Sequence, residues 1–354
     1  MKVLYIGLKV EGKPQTGGEY GQLRNRQMLT SLFKDTTILE LPKVGGLSNL
    51  KNVLLGKSYG HTSSFKKKLE SSLDEGYNIV FMDGSACGEY VKFFNKRNVR
   101  TIVFCHNVEY EYYKAKFDSE RSLRNRMLVS YFFRQEKLSI QYATKVIALN
   151  QRDSDGIKKL YGRNVELILP VFYNKIDFNE LQPTHPNAKY LLFVGADFFA
   201  NTDGMIWFIE KVSKKINIDI YVAGGCCNTI SKRLDISKYP NVKLKGFVDD
   251  LEELYKNASG VVCPIFAGSG MKTKTIEALK YGKNVFGTPE AFEGICADYK
   301  IIGGLCRTDV DFIDTINSSE LSLFNENSYR CFIDKYSTDA VYPIFYSFVC
   351  DAAK

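Results

Sequence analysis

The stretch of sequence best suited to binding chemistry lies between residues 263 and 288 and combines glycines, lysines and a glutamate. Gly268 and Gly270 stand in a turn, Lys272 and Lys274 open a helical pattern, and Glu277 follows seven residues after Gly270. Glycines let a backbone approach a ligand closely, and a helix N-terminus offers unpaired N–H groups to an anion. Because lysines there oppose the helix dipole unless an anion is bound, we expect this turn to bind phosphate.

Glu277 extends the expected site along the same helix. Two helical turns separate it from Gly270, so it lies on nearly the same face, about 10 Å along the axis. A diphosphate at the helix start would leave its ribose near this carboxylate. A plainer alternative also fits the spacing: a βα turn with solvated lysines and a Lys274–Glu277 surface pair worth about 0.3 kcal/mol.

This stretch belongs to a series of predicted strands and helices that alternate along the chain. In the second half of the chain, strands are predicted at 190–194, 218–222, 242–244 and 261–262, with helices at about 203–214 and 271–281. Each of these strands is followed by a loop that contains glycine. Alternation at this spacing predicts a parallel, doubly wound sheet, whose ligands bind beyond the carboxyl ends of the strands.

The first half of the chain repeats the pattern. Strands are predicted at 2–8, 36–41, 78–83, 101–105 and 145–149, with helices at about 19–33, 63–75, 87–96 and 119–141. His106 directly follows a buried strand, which neither of the other two histidines does. This position suits a ligand contact at the sheet edge, although a structural, hydrogen-bonded histidine is the alternative.

The length of the chain predicts two domains. At 354 residues the chain exceeds one ordinary core, and its apolar fraction of 45% suits globular α/β domains. We expect an N-terminal domain over residues 1–170 and a C-terminal domain over 171–337, with a final helix at about 338–354 returning to the first domain. No stretch is long and apolar enough to predict a spanning helix, and the N-terminus reads as a strand rather than a signal peptide.

Charge is unevenly divided between the two halves. Residues 1–170 contain 28 Lys and Arg against 17 Asp and Glu, a net charge of +11, whereas the remainder carries −3. The basic half is expected to face an anionic partner. Residues 110–145 interleave aromatic and basic side chains, which suits an anionic membrane surface, a nucleic acid, or an ordinary amphipathic helix with buried rings.

Cysteines and acidic pairs give no indication of a metal. The nine cysteines are scattered without metal-ligand spacing, which favours a reducing, cytosolic compartment. Two Asp-x-Asp pairs occur, at Asp153–Asp155 and Asp309–Asp311. Asp153 opens a predicted helix, so an N-cap role explains it better than a metal does. We therefore expect no metal and no cofactor.

The stretch from residue 268 onward resembles the C-terminal signature of family 4 glycosyltransferases, in the branch that reads Gly-Ser-Gly-Met-Lys-x-Lys-x-x-Glu-Ala-Leu. Three earlier loops resemble the same family in order and spacing: Gly195 with Asn201, the turn at Gly224, and the Gly-Phe-Val-Asp-Asp-Leu run that begins at Gly246. The family consists of retaining enzymes of the GT-B fold. The resemblance therefore implies two Rossmann-like, doubly wound α/β domains that face a central cleft.

The resemblance also implies residue roles and partners. It implies a metal-independent, hexosyltransferase-type enzyme that moves a sugar from a UDP- or GDP-linked donor to a glycan or lipid-linked acceptor. We therefore expect a role in cell-surface polysaccharide synthesis and no nucleic-acid partner. We also expect a cytoplasmic location with peripheral contact to the inner face of the membrane. The expected catalytic residues are His106, Lys272 and Glu277. The expected donor contacts are Gly17, Gly18, Gly195, Asn201, Gly246, Phe247, Val248, Gly268, Ser269, Gly270, Met271, Lys272, Lys274 and Glu277.

One position departs from the family pattern. Many relatives carry a glutamate eight residues before the position of Glu277, where this chain has Ser269. That carboxylate contacts the sugar in the family, so its loss leaves the donor sugar open. Three alternatives to a transferase remain. Two share its architecture or its ligand: a sugar-nucleotide 2-epimerase and a catalytically silent nucleotide-sugar-binding subunit. The third, a nucleic-acid-binding protein, would explain the charge asymmetry but nothing in the second half of the chain.

Overall fold

The computed structural model describes residues 1–10, 17–268 and 270–354 of the chain. The described chain divides into two compact units. The first comprises Met1–Pro170 together with Tyr342–Lys354, and the second comprises Val171–Val341.

The first unit is built on a six-stranded sheet, and every strand pair in it is parallel. Its order is β2-β1-β3-β4-β5-β6. Strands β3 and β4 are fully buried, as expected of parallel strands covered by helices on both faces. The strands are β1 (Lys2–Leu8), β2 (Asp35–Leu41), β3 (Ile79–Asp83), β4 (Thr101–Cys105), β5 (Lys145–Ala148) and β6 (Leu167–Ile168).

Helices connect these strands in the first unit. They are α1 (Gly17–Leu32), α2 (Gly46–Leu54), α3 (Ser63–Ser72), α4 (Gly88–Asn95), α5 (Glu109–Ser119), α6 (Leu123–Tyr142) and α7 (Gln151–Tyr161). One core cluster joins Leu4 and Ile6 of β1 to Val91 of α4 and Ile140 of α6.

The second unit repeats the architecture with a second six-stranded parallel sheet, ordered β12-β11-β10-β7-β8-β9. Its strands are β7 (Tyr190–Val194), β8 (Asp219–Ala223), β9 (Val242–Gly246), β10 (Gly260–Cys263), β11 (Val285–Gly287) and β12 (Gly303–Leu305). Its helices are α8 (Phe199–Lys211), α9 (Cys226–Arg233), α10 (Glu252–Asn257), α11 (Thr273–Lys280), α12 (Asp309–Ser318) and α13 (Glu326–Tyr336), and α14 (Thr338–Ala352) ends the chain across the unit boundary. The predicted doubly wound α/β fold with two parallel sheets is confirmed.

Residues 110–145 follow the amphipathic-helix interpretation in their second part only. They form α5 and α6 as two helices rather than one helix from 119. The Tyr131 and Phe132 rings of α6 are buried, whereas α5 buries no residue and its Tyr112 is exposed. Tyr113 stacks on Phe132 at 3.8 Å between ring centroids, and Phe133 contacts Tyr161 at 5.6 Å. In the described parts of the chain, no helix is long and apolar enough to cross a membrane.

Candidate functional site

The predicted phosphate turn connects β10 to α11 in the second unit. Gly268 and Gly270 have φ angles of 146° and 63°, which other residues adopt only with strain. The helix begins at Thr273, two residues later than the pattern suggested, so Lys272 is its N-cap residue and Lys274 lies in its first turn. Both lysines therefore flank the unpaired N–H groups of a helix start.

Lys272 is held by the carboxylate of Glu290, which is not among the predicted site residues. Its Nζ donates to Glu290 Oε1 at 2.7 Å and to the Gly270 carbonyl oxygen at 2.8 Å. Both charged side chains are mostly buried, and Glu290 also lies against Gly268. The charge of Lys272 is thus balanced within the protein, and an arriving phosphate would compete with Glu290 for it.

Lys274 links two of the predicted loops. Its Nζ donates to Asn201 Oδ1 at 2.6 Å and lies 4.3 Å from the centroid of the Phe193 ring. Burial lowers the pKa of Lys274 to about 8, although nearby thiols and Glu277 oppose the shift. An anion beside this ammonium would relieve that cost. Asn201 itself lies inside α8, which begins at Phe199, so its prediction as a loop residue was wrong.

The loops after β7, β8 and β9 meet through glycines at the same sheet edge. The Gly195 N–H donates to the Ala223 carbonyl at 2.9 Å, and the Gly224 N–H donates to the Gly246 carbonyl at 2.7 Å. A Cβ at Gly224 would stand 2.3 Å from the Gly195 oxygen, so only glycine fits there. Beyond Gly246, the Phe247 ring is exposed and Val248 is partly exposed.

Glu277 is paired with a buried tyrosine. The Tyr255 hydroxyl donates to Glu277 Oε2 at 3.3 Å, and Tyr255 stacks on Tyr281 with ring centroids 4.9 Å apart. Burial raises the pKa of Glu277, while the Tyr255 hydrogen bond and the nearby lysines lower it. The neighbouring Met271 side chain is buried and accepts a hydrogen bond from the Val171 N–H, which gives it a structural role.

In the first unit, His106 is hydrogen-bonded to Asp83, a residue that was not predicted from the sequence. His106 Nε2 lies 2.7 Å from Asp83 Oδ1, and Asp83 also accepts hydrogen bonds from the Tyr5 hydroxyl at 2.7 Å and the Asn25 amide at 2.9 Å. A carboxylate oxygen of Asp83 accepts a hydrogen bond from the imidazole at Nε2, so Nδ1 is the ring nitrogen that is not bonded to Asp83. Asp83 is the last residue of β3, and His106 follows the last residue of β4. Asp83 therefore also lies at the carboxyl end of a buried strand, where ligands bind in sheets of this kind.

Helix α1 packs against the same imidazole. A Cβ at Gly21 would stand 2.9 Å from His106 Nδ1 and Cε1, so a glycine is needed there. Gly17 and Gly18 are the first two residues of α1 and are exposed, whereas they were expected in the preceding loop. Residues 11–16 of that loop, and Ser269 in the second unit, lie outside the described residues.

Two carboxylates lie next to each other just beyond His106. Glu136 is buried and accepts hydrogen bonds from the N–H groups of Glu109 and Tyr110 at 2.9 and 3.1 Å and from the Tyr161 hydroxyl at 2.7 Å. Burial, and next the charge of Glu136, raise the pKa of Glu109 to about 8. The Glu109 carboxyl group is therefore largely protonated at neutral pH.

This pair predicts a pH-dependent stability. Because the pKa of Glu109 is higher in the folded protein, the folded state binds more protons between pH 4.5 and 8, and stability falls as pH rises through that window, by at most about 1.4 kcal/mol per pH unit. Glu109→Gln should reduce this slope, while Glu111→Gln, an exposed change on the same helix, should keep it. The measurement is the free energy of unfolding from urea titrations at several pH values; equal slopes in all three proteins would contradict the prediction.

The Asp-x-Asp pairs lie at the starts of two helices. Asn150, not Asp153, caps α7: its side chain accepts from the Asp153 N–H at 2.8 Å. Asp311 forms a capping box with Thr308 at the start of α12. Among residues 1–10, 17–268 and 270–354, no three His, Cys, Asp or Glu side chains gather as ligands for a metal ion.

Sequence comparisons match part of the chain to a family model and to a curated relative. Residues 188–310, which include β7 to β12 and the phosphate turn, match the family model described as glycosyl transferases group 1. The relative is an uncharacterized 44.6 kDa protein in a cps region of Klebsiella pneumoniae, 25% identical over 247 residues. The match covers 64% of this chain and 61% of the relative, so the chain spans about three fifths of that protein.

Solved structures match over nearly the whole chain. HepE from Anabaena, in complex with UDP, superposes with a TM-score of 0.71 at 13% identity, covering 99% of this chain and 100% of HepE. A glycosyltransferase from Rickettsia africae gives a TM-score of 0.69 at 13% identity, covering 100% and 99%. WaaG, a glycosyltransferase involved in lipopolysaccharide biosynthesis, gives 0.67 at 14%, covering 98% and 99%. The chain therefore has the GT-B glycosyltransferase fold, and its second unit matches the group 1 family model over residues 188–310.

Proposed function

We propose that this protein is a glycosyltransferase that uses a nucleotide-sugar donor, bound at the strand-end loops of the second unit. The observation that carries the proposal is Lys274, a partly buried ammonium group bonded to Asn201 beside a glycine-rich helix N-terminus, with a pKa that burial depresses. The match of residues 188–310 to the group 1 model supports it, as does the likeness to HepE, whose structures contain UDP and UDP-glucose.

The proposed chemistry is stabilisation of the leaving group. When the bond between sugar and diphosphate breaks, negative charge develops on the departing nucleoside diphosphate. The α11 N-terminus and Lys274 stabilise that charge, and Lys272 joins them by exchanging Glu290 for a phosphate oxygen. Since these groups supply the positive charge, we propose transfer without a metal. The resemblance of the turn from residue 268 onward to a family of retaining enzymes is the reason that we also propose retention at the anomeric carbon.

Glu277 and the loop after β9 complete the proposed donor site. The Glu277 carboxylate accepts hydrogen bonds from the ribose hydroxyls, and the backbone around Val248 contacts the base. His106 of the first unit is proposed to hydrogen-bond the transferred sugar through Nδ1, the ring nitrogen that is not bonded to Asp83.

The proposed acceptor is a glycan or a lipid-linked glycan in cell-surface polysaccharide synthesis. WaaG is described as acting in lipopolysaccharide biosynthesis, and the Klebsiella relative belongs to a cps region. All nine cysteines are free thiols, which suits a reducing compartment, so we place the protein at the cytoplasmic face of a membrane.

The test of metal independence and stereochemistry is a transfer reaction followed by NMR in EDTA. UDP- and GDP-linked hexoses are offered with acceptors extracted from membranes. We expect nucleoside diphosphate release and a product with the donor's anomeric configuration. Loss of turnover on chelation would contradict the metal-free proposal, and an inverted product would contradict retention. Conversion of the donor to its 2-epimer would indicate the epimerase.

The His106 role predicts an effect of Gly21→Ala. The added methyl group would stand 2.9 Å from the imidazole and displace it from its bond to Asp83. Because misplacement of a positioned group by about 1 Å can cost about 10²-fold, we expect kcat to fall roughly 10- to 10²-fold. Gly45→Ala, where no atom lies within 4 Å, is the control. A normal kcat in folded Gly21→Ala protein would remove His106 from the proposed site.

A further inference from the structure

The helix α2 of the first unit exposes a row of leucines. Leu47, Leu50 and Leu54 are 85%, 46% and 66% exposed, and Leu55 directly after the helix is 56% exposed. The spacing of three and four residues places the first three on one helical face. None of the residues of α2 is buried. The leucines therefore do not pack into the core of the first unit.

A basic cavity of about 630 Å³ lies between α3 and α4 of the same unit. Two acidic side chains also line it, Glu70 and Glu89, and each is paired with a basic side chain: Lys66 at 3.6 Å and Arg134 at 3.4 Å. The basic side chains that line the cavity are Lys57, Lys66, Lys67, Lys92, Lys96 and Arg97. The cavity therefore carries a net positive charge and suits anionic groups.

The leucine row and the cavity are neighbours. The Asn52 side chain of α2 donates to the backbone carbonyl of His61 at 2.8 Å, and His61 lines the cavity. Lys57, another lining residue, follows Leu55 by two positions. Burial, and next the charges of Lys57 and Lys66, lower the pKa of His61, as expected in a positive field.

We propose that α2 and this cavity form a docking surface for an anionic lipid bilayer. The leucines enter the boundary between headgroups and acyl chains, and the lysines of the cavity bind lipid phosphates. Apolar side chains beside clustered lysines are the pattern of helices that lie in a membrane interface. This surface gives the proposed membrane location a structural basis, and it does not depend on sugar transfer.

Composition separates this partner from two others. Protein interfaces are depleted in lysine, and leucine is under-represented among their energetically dominant residues, whereas both are abundant here. A nucleic acid would be attracted by the lysines but would leave the leucines unexplained, because strands without sequence specificity are held by basic grooves and aromatic platforms. An anionic bilayer accounts for both features, because its acyl region takes up the leucines and its phosphates bind the lysines.

The test is flotation of the full chain with vesicles of phosphatidylcholine, with and without phosphatidylglycerol. We expect binding to the anionic vesicles at low salt and weaker binding at about 1 M salt, where charges are screened beyond about 3 Å. The variant Leu47→Ser/Leu50→Ser/Leu54→Ser should bind at least roughly tenfold more weakly because the apolar area entering the interface is lost. Lys66→Glu/Lys67→Glu should lose the preference for anionic vesicles.

Val310→Ser and Lys300→Glu, exposed positions of the second unit, serve as matched controls and should float like the parent protein. Absence of flotation by the parent protein, or undiminished flotation of the leucine variant, would overturn the proposal. A parent dimer that the leucine variant converts to a monomer would also overturn it, because a second copy would then cover the row. Nucleotide binding, measured on the same samples, tests the proposed donor site separately.

Discussion

Lys274→Met should lower the kcat of sugar transfer by about 10²- to 10³-fold, the cost of removing one preorganised group that stabilises a developing anion. Met fills a volume similar to that of the lysine stem but supplies no charge. The lost charge is the one that lies beside Asn201 and over the Phe193 ring at the start of α11. The measurement is the rate of nucleoside diphosphate release at saturating donor. Lys232→Met, an exposed lysine of α9, is the control and should leave kcat unchanged.

The depressed pKa of Lys274 gives a second readout of the same assignment. With a pKa of about 8 in the free protein, part of the population lacks the ammonium charge near pH 8. A bound diphosphate favours the charged form, so binding takes up protons, and donor affinity falls as pH rises through about 8. Calorimetric titration in buffers of different ionisation enthalpy measures this uptake. Equal proton uptake by the parent protein and by Lys274→Met would assign the titration to another group.

Glu277→Ala should weaken nucleotide binding by about 10- to 10²-fold, because hydrogen bonds to a charged acceptor contribute about 1.5–3 kcal/mol. The physical reason is the loss of the carboxylate that we assign to the ribose hydroxyls. Glu277→Gln keeps an acceptor for the Tyr255 hydroxyl, so it separates loss of ribose binding from disturbance of the Tyr255–Tyr281 stack. Calorimetric titration with UDP and GDP gives the affinities.

A nucleotide that lacks both ribose hydroxyls tests the contact itself. The unmodified protein should bind 2′,3′-dideoxy-UDP or 2′,3′-dideoxy-GDP more weakly than it binds UDP or GDP. Glu277→Ala should bind the two forms with equal affinity, since the group that discriminates between them is gone. If the variant still prefers the ribose form by the full margin, Glu277 does not contact the ribose.

The sequence predicted those features that are local in the chain. The glycine turn before α11, the two lysines beside it and the strands β1, β4 and β7 were located by apolar runs, glycines and helical spacing, each read within a short window. Strand ends were informative because the carboxyl ends of parallel strands share an edge, which is where Gly195, Gly224 and Gly246 meet. The confirmed fold class follows from these local patterns and their alternation.

The features that the sequence did not predict depend on tertiary contacts. Glu290 is separated from Lys272 by 18 residues, and Tyr255 from Glu277 by 22, with no motif connecting either pair. The rings of residues 110–145 could not be assigned to core or surface, because an amphipathic pattern looks the same whether its apolar face meets protein or lipid. No helix was predicted between residues 41 and 63, so the leucines of α2 were not recognised as an exposed row.

Sugar transfer is tested by measuring nucleoside diphosphate release from a panel of UDP- and GDP-linked sugars, with acceptors extracted from membranes. We expect release from at least one donor, dependent on acceptor, together with transfer of the labelled sugar to a product and loss of both in Lys274→Met. Nucleotide binding without release from any donor would contradict the transferase and indicate a silent binding subunit.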